Sequence, residues 1–319
     1  MLLTFSLVCL LGFLPADLKE TDRQSSIPSQ APAAESPPDV NLSVNSTLVV
    51  IPVTVTDATN RFVLGLEKQN FSIFEDGVRQ SISQFASEDA PLSVGLLVDT
   101  SGSMGAKLGT SRQAVSEVLK ILGAQDEAFL IDFSDRAELA VPFTRNFGAI
   151  QDKLNSIDSQ GLTALLDAIE LGLGEMKKAS NPRKALLIIS DGGDNNSRYT
   201  AQQIENLVRE ADVQVYAMGV FEPFSNLGLS VPELSGPSLL AEVSEQTGGR
   251  VFPARSFSAL PAVARKIAVE LRNQYVLAYA PSKRDRDGKY RKVEVKLSAP
   301  PGLSTLKARW RLGYYAPSQ

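Results

Sequence analysis

The sequence predicts an α/β protein: a doubly wound, mostly parallel sheet inserted between N- and C-terminal β segments that form a small β module of their own. Three observations carry this. Two short apolar runs, residues 94–98 and 186–189, lead into carboxylates, Asp99 and Asp191, as fully buried strands do when they reach a sheet edge. Between residues 92 and 271, strand-like runs alternate with 3.6-period apolar stripes, which implies parallel strands joined by helices on both faces. On either side of that stretch the apolar period changes to 2, the mark of strands with one wet face.

Taken in order, residues 1–16 resemble a leader. Residues 2–14 are almost wholly apolar, too few for a membrane span of about 20 residues, and fit the core of a secretory signal with Ala16 at the cleavage position. Against this, no Lys or Arg precedes the run, and Leu14 is large for its place. Residues 17–40, rich in Pro, Ser and Ala, read as a disordered linker. The N-terminal β segment, residues 41–88, holds a β-branched strand at 47–56 and alternating runs at 71–74 and 81–85. Glu75-Asp-Gly77 before Val78 is a hairpin signal. A unit this short is marginal alone.

The α/β domain spans residues 89–272. Residues 129–133 are a strand, with 137–143 as its antiparallel neighbour. Helical stripes are Val115, Val118, Leu119 and Leu122; then Leu162, Leu165, Leu166, Ile169, Leu173 and Met176; then Ile204, Leu207, Val208 and Ala211; and finally Leu260, Val263, Ala264, Ile267 and Leu271. Residues 213–220 and 251–253 are strands. A helix over 239–246 stops at Gly248-Gly249. The C-terminal β segment, residues 273–319, has alternating strands at 274–279, 292–297 and 307–312. It and residues 41–88 each lack a partner face, and the economical solution is that they pack together.

Composition excludes much. The 319-residue chain has a formal net charge of −4, which favours neither nucleic acid nor an anionic membrane as partner. It has no histidine, which removes Ser-His-Asp and Cys-His catalysis and every His-ligated metal site. Its one cysteine, Cys9, lies in the leader. No Gly-x-x-x-x-Gly-Lys-Ser/Thr occurs, so a nucleotide site is unsupported. No stable transmembrane anchor is predicted.

The chemistry concentrates at Asp99-Thr-Ser-Gly-Ser103, on the turn between a strand's carboxyl end and a helix, where open α/β sheets bind ligands. One carboxylate and two hydroxyls are hard donors that suit Mg²⁺, Mn²⁺ or Ca²⁺. Gly102 is expected to let the turn tighten. From these residues alone, capping of the following helix is an equal reading. Two later stretches shift the balance: Gly161-Leu-Thr-Ala164 before a helix, and Ser190-Asp-Gly-Gly-Asp194 after a buried strand.

With these, residues 92–271 resemble the von Willebrand factor A domain family, whose metal-ion-dependent adhesion site uses an Asp-x-Ser-x-Ser turn, a threonine from a separate loop and a strand-end Ser/Thr-Asp-Gly. The matching positions are Asp99, Ser101, Ser103, Thr163 and Asp191. The flanks resemble those of a bacterial group of such proteins, through Phe74-Glu-Asp-Gly-Val78 and Gly313-Tyr-Tyr-Ala-Pro317. The resemblance implies a module that binds a protein partner through Mg²⁺, with Mn²⁺ or Ca²⁺ as alternatives, and the leader-like segment implies that it is exported (periplasmic, cell-surface or secreted). The partner would offer an Asp or Glu carboxylate to the ion. It implies no enzyme. Two other readings stand beside it: a metal-dependent hydrolase or phosphoryl-transfer enzyme, and an envelope scaffold with a structural or vestigial site.

Other features have plainer readings. Asn41, Asn45, Asn70 and Asn195 open glycosylation-type triplets that arise by chance. Residues 284–287 are a charged, solvated turn. Asp194 reads as a solvated loop residue rather than a support for the site. Residues 222–237, with Phe224, Leu227 and Leu229, either shape a partner's footprint or cover the domain's own core.

Overall fold

The structure, a computed structural model, describes residues 48–318 except 88–89, 192, 220–230, 255 and 301–304; for residues 231–237 it describes the backbone alone. The expected leader and linker, and most of the stretch 222–237, lie outside the described residues. No helix among them is long and apolar enough to cross a membrane.

Four strands come first: β1 (Val49–Thr56), β2 (Phe71–Glu75), β3 (Val78–Gln80) and β4 (Ile82–Ala86). The chain then alternates through β5 (Leu92–Asp99), α1 (Leu108–Leu119), β6 (Glu127–Phe133), β7 (Ala137–Thr144), α2 (Phe147–Asn155), α3 (Leu165–Met176), β8 (Arg183–Ser190), α4 (Ala201–Glu210), β9 (Gln214–Gly219), α5 (Val231–Gln246), β10 (Val251–Pro253) and α6 (Leu260–Arg272). It ends in β11 (Tyr275–Tyr279), β12 (Tyr290–Leu297), β13 (Lys307–Arg309) and β14 (Gly313–Tyr315).

The central sheet has six strands in the order β10-β9-β8-β5-β6-β7. All pair in parallel except β7, which runs antiparallel to β6. The chain builds outward from β5 to β6 and β7, then starts again on β5's other side with β8, β9 and β10. The order therefore reverses between β5 and β8, and the crevice beyond their carboxyl ends is the place where such sheets take ligands. Strand β5 shows why it sits in the middle: it is buried along its whole length. Leu92, Val94, Leu96 and Val98 join the core under α1, α2 and α6, and Leu97 joins the core under α3, α4 and α5.

The flanking strands build two further four-stranded sheets, β13-β1-β11-β4 and β14-β12-β2-β3. Each mixes strands from both ends of the chain. Ile51 of β1 lies opposite Leu277 of β11, and Ile73 of β2 opposite Val295 of β12. Their apolar faces share one core, which includes Val53, Phe71, Tyr275 and Val293. Within it the Glu75 carboxylate is buried and accepts hydrogen bonds of 2.8 Å from both the Tyr279 and Tyr314 phenols. Burial and the neighbouring carboxylate raise both phenol pKa values far above the usual range. The β2–β3 turn has positive φ at Asp76 and Gly77, the backbone a type I′ hairpin demands.

One expected strand is divided. Residues 307–312 do not run straight: β13 ends at Arg309 in the first flanking sheet, and β14 starts at Gly313 in the second. Side-chain bonds hold the crossing. The Trp310 indole donates to the Val293 carbonyl at 3.0 Å, and Arg311 donates to the Gly313 carbonyl and pairs with Asp212 just before β9.

Candidate functional site

Three loops meet at the carboxyl edge of β5 and β8. The first follows β5. Asp99 is its last residue and is fully buried. Its Oδ1 accepts the Ser101 N–H at 2.9 Å, and its Oδ2 accepts the Ser190 hydroxyl at 2.6 Å. These bonds aim the carboxylate along the seam between the two strands. The Ser101 and Ser103 hydroxyls come within 3.1 Å of each other, because residues 102–104 make one turn of 3₁₀ helix.

The second loop, residues 159–164, is tied to the first by backbone. Gly102 N–H donates to the Gly161 carbonyl at 3.0 Å, Gln160 N–H donates to the Thr100 carbonyl at 2.9 Å, and the Ser159 hydroxyl donates to the Ser101 carbonyl. A Cβ on Gly102 would come within 3.3 Å of the Gly161 oxygen, so Gly102 serves close approach of two backbones. The left-handed residue is Gly161, at φ +78°, where a Cβ would strike the Asp135 carboxylate at 2.6 Å. That turn takes Leu162 out of the expected helical stripe. Helix α3 begins at Leu165, and Leu162 stands half exposed, its N–H held by Asp135 Oδ1 at 2.8 Å.

The third loop follows β8 and clamps Thr163. Asn195 Oδ1 accepts the Thr163 N–H at 2.8 Å, while the N–H groups of Asn195 and Asn196 both donate to the Thr163 carbonyl at 3.0 Å. Thr163 is thus held by its backbone, and its hydroxyl makes no hydrogen bond to the other described residues. Asp194 is not a solvated loop residue. It accepts from the Leu166 N–H and the Ser197 hydroxyl, and so caps α3. Burial raises its pKa. Asp191, next along from Ser190, pairs with Lys107 at 3.1 Å.

The structure therefore brings Asp99, Ser101, Ser103, Thr163 and Asp191 to one edge, on three loops stitched to each other. Electrostatically the place is unfavourable for bare carboxylates. Burial pushes the Asp99 pKa up to about 6, against hydrogen bonds from Ser101 and Ser190 that lower it, and the charge of Asp191 adds to the rise. The donor set is all oxygen, and its two carboxylates would match a divalent charge. Neighbouring oxygens around an octahedral ion with bonds of 2.0–2.1 Å lie about 2.9 Å apart, close to the separation of the two serine hydroxyls. No group of three or more Cys, Asp or Glu gathers anywhere among the described residues. A hard cation at this edge would rest largely on hydroxyls and water.

Sequence reasoning missed Lys107, Asn195 and Ser190 as supports. Ser190 carried a signal, since a hydroxyl one residue before a strand-end carboxylate faces the adjacent strand's end. Asn195 carried none beyond its glycosylation-type triplet, and Lys107 none at all.

Residues 94–193 match the family model for the von Willebrand factor type A domain. The chain carries such a domain. An uncharacterised protein of Borreliella burgdorferi is 26% identical over 209 residues, 56% of this chain and 61% of that protein. Heavy chain H4 of the inter-alpha-trypsin inhibitor of Sus scrofa is 27% identical over 132 residues, 38% of this chain and 14% of that one. The chain spans about three fifths of the first relative and a small part of the second. Among solved structures, a von Willebrand factor type A protein from Catenulispora acidiphila matches at a TM-score of 0.50 and 12% identity, covering 86% of this chain and 74% of that one. At that identity the likeness speaks to the fold: a von Willebrand factor A domain on a Rossmann-like sheet.

Proposed function

We propose that the domain is a non-catalytic binding module that grips a protein partner through a divalent cation, carried by an exported protein that works in the periplasm, at the cell surface or outside the cell. The observation behind this reading is the convergence of two carboxylates and three hydroxyls at the point where the sheet order reverses, with two of the hydroxyls at ligand spacing. Ser101, Ser103 and Thr163 would offer hydroxyls to the ion. Asp99 and Asp191 would act largely through ordered water, since both Asp99 oxygens already accept protein hydrogen bonds. Bound there, Mg²⁺, or Mn²⁺ or Ca²⁺ in its place, supplies a positive centre with a ligand position for a partner's Asp or Glu carboxylate. The enzyme reading has no histidine to draw on for proton transfer, and the binding reading needs none.

The test is a titration of the purified protein with Mg²⁺, Mn²⁺ and Ca²⁺, followed by calorimetry and thermal melting. At free metal about 100 times the dissociation constant, mass action stabilises the fold by roughly 2.7 kcal/mol. EDTA should reverse the rise, and Asp99→Ala should abolish it. Identical responses from wild type and Asp99→Ala would remove the metal site from the proposal.

A further inference from the structure

Lys107 is an unexpected occupant of the site's edge. It is the residue that enters α1, so its charge lies at the helix end where the backbone dipole is positive and a cation is disfavoured. Something else must hold it there. Its Nζ lies 3.1 Å from Asp191 Oδ2, and the two side chains retain only 14% and 20% of their exposure. The same Nζ stands 5.0 Å from the centre of the Phe257 ring, which is packed against the core beneath α6. An ammonium held between a ring face and a carboxylate, and shielded from water, is a placed group and not a wandering surface lysine.

We infer that Lys107 is a tethered competitor for the cation, occupying the Asp191 carboxylate when no ion is bound and setting the site's affinity by having to yield it. The inference rests on the metal-binding reading above. Asp99 and Asp191 bring two like charges to one edge, and in the metal-free protein Lys107 supplies the one cationic side chain the described residues place on either of them. A divalent ion at the same edge meets a carboxylate already paired, and its entry costs the Lys107–Asp191 contact. The consequence is a site that stays intact without metal yet binds metal more weakly than its oxygen set would by itself. It would fill only where divalent ions are abundant.

The experiment is Lys107→Met, which keeps length and removes charge, with Lys107→Gln as the second variant should Met fail to fold. Calorimetric titration with Mg²⁺ and Mn²⁺ should show affinity tighter by roughly tenfold, equivalent to about 1.4 kcal/mol. The metal-free variant should melt below wild type, and its metal-induced rise in melting temperature should be larger. In an Asp191→Asn background the Lys107 substitution should lose its effect on affinity, because the contact it removes is already gone. Equal affinity in wild type and both Lys107 variants overturns the inference and leaves the metal site standing. Weaker binding overturns it too, since Lys107 would then be organising the site. If neither wild type nor any Lys107 variant binds Mg²⁺, Mn²⁺ or Ca²⁺, the metal-binding reading fails and the competitor falls with it.

Discussion

Replacing Asn195 by Ala should loosen Thr163 without touching the two serines or either aspartate. The side-chain oxygen of Asn195 is the acceptor for the Thr163 N–H at 2.8 Å, and Thr163 is buried. Alanine leaves that donor without its protein partner. An unsatisfied buried N–H costs about 1–3 kcal/mol. Asn195 itself is exposed, so water can reach part of the vacated position, and the lower half of the range, about 1–2 kcal/mol, is the expected loss. The two backbone bonds into the Thr163 carbonyl survive, so the loop should stay folded. What degrades is aim: the bond to Asn195 helps fix the Thr163 backbone that carries the hydroxyl, and loss of such a support weakens metal affinity by roughly 10–100-fold. Urea denaturation of the metal-free protein reads the first effect and Mg²⁺ titration the second. Asn195→Asp, which keeps the acceptor, should recover most of the stability. If Asn195→Ala matches wild type in both measurements, the clamp does not position Thr163 and the reasoning is wrong.

Gly161→Ala forces a side chain into a left-handed residue and against Asp135; we expect a loss of about 1–2 kcal/mol with weakened metal binding, read from denaturation and titration. Asp132 lies directly across from Glu138 in the β6–β7 pair, and burial first, then that like charge, raise its pKa. An acid raised on folding makes the protein less stable as pH climbs from the ordinary carboxylate range through the raised value. Asp132→Asn should therefore gain stability at pH 7 and lose the advantage near pH 4, by urea midpoints. Tyr279→Phe removes one of the two phenols on the buried Glu75 carboxylate and should cost about 1.5–3 kcal/mol, the worth of a hydrogen bond to a charged group, lowering the melting temperature with no change in metal response.

The sequence by itself determined the character of each segment, because burial on both faces, on one face or on a helical stripe leaves a different apolar period. Continuous apolar runs marked β5 and β8 as central, and the oxygen-bearing residues at and just past their ends marked the edge where the candidate site lies. The alternation of Ala137 to Phe143 placed β7 beside β6, where the structure has it antiparallel. Those signals are local, and local signals stop at a few residues' reach. Leu162 satisfied a helical spacing yet left the helix, because Gly161 turns left-handed and Asp135, far away in sequence, holds the next N–H. Residues 307–312 alternated like one strand, but Trp310 and Arg311 found partners on β12 and before β9 that bend the chain from one sheet into another. Asp194 looked like a solvated loop carboxylate until α3 was laid beside it. The supports of the site were invisible for the same reason. Asn195 meets Thr163 across 32 positions and Lys107 meets Asp191 across 84, so only tertiary packing decides that they touch. A spacing can announce that a carboxylate and two hydroxyls share a turn. Which cation already stands against the second carboxylate is settled by where the residue before α1 meets the residue after β8, and no period in the sequence records it.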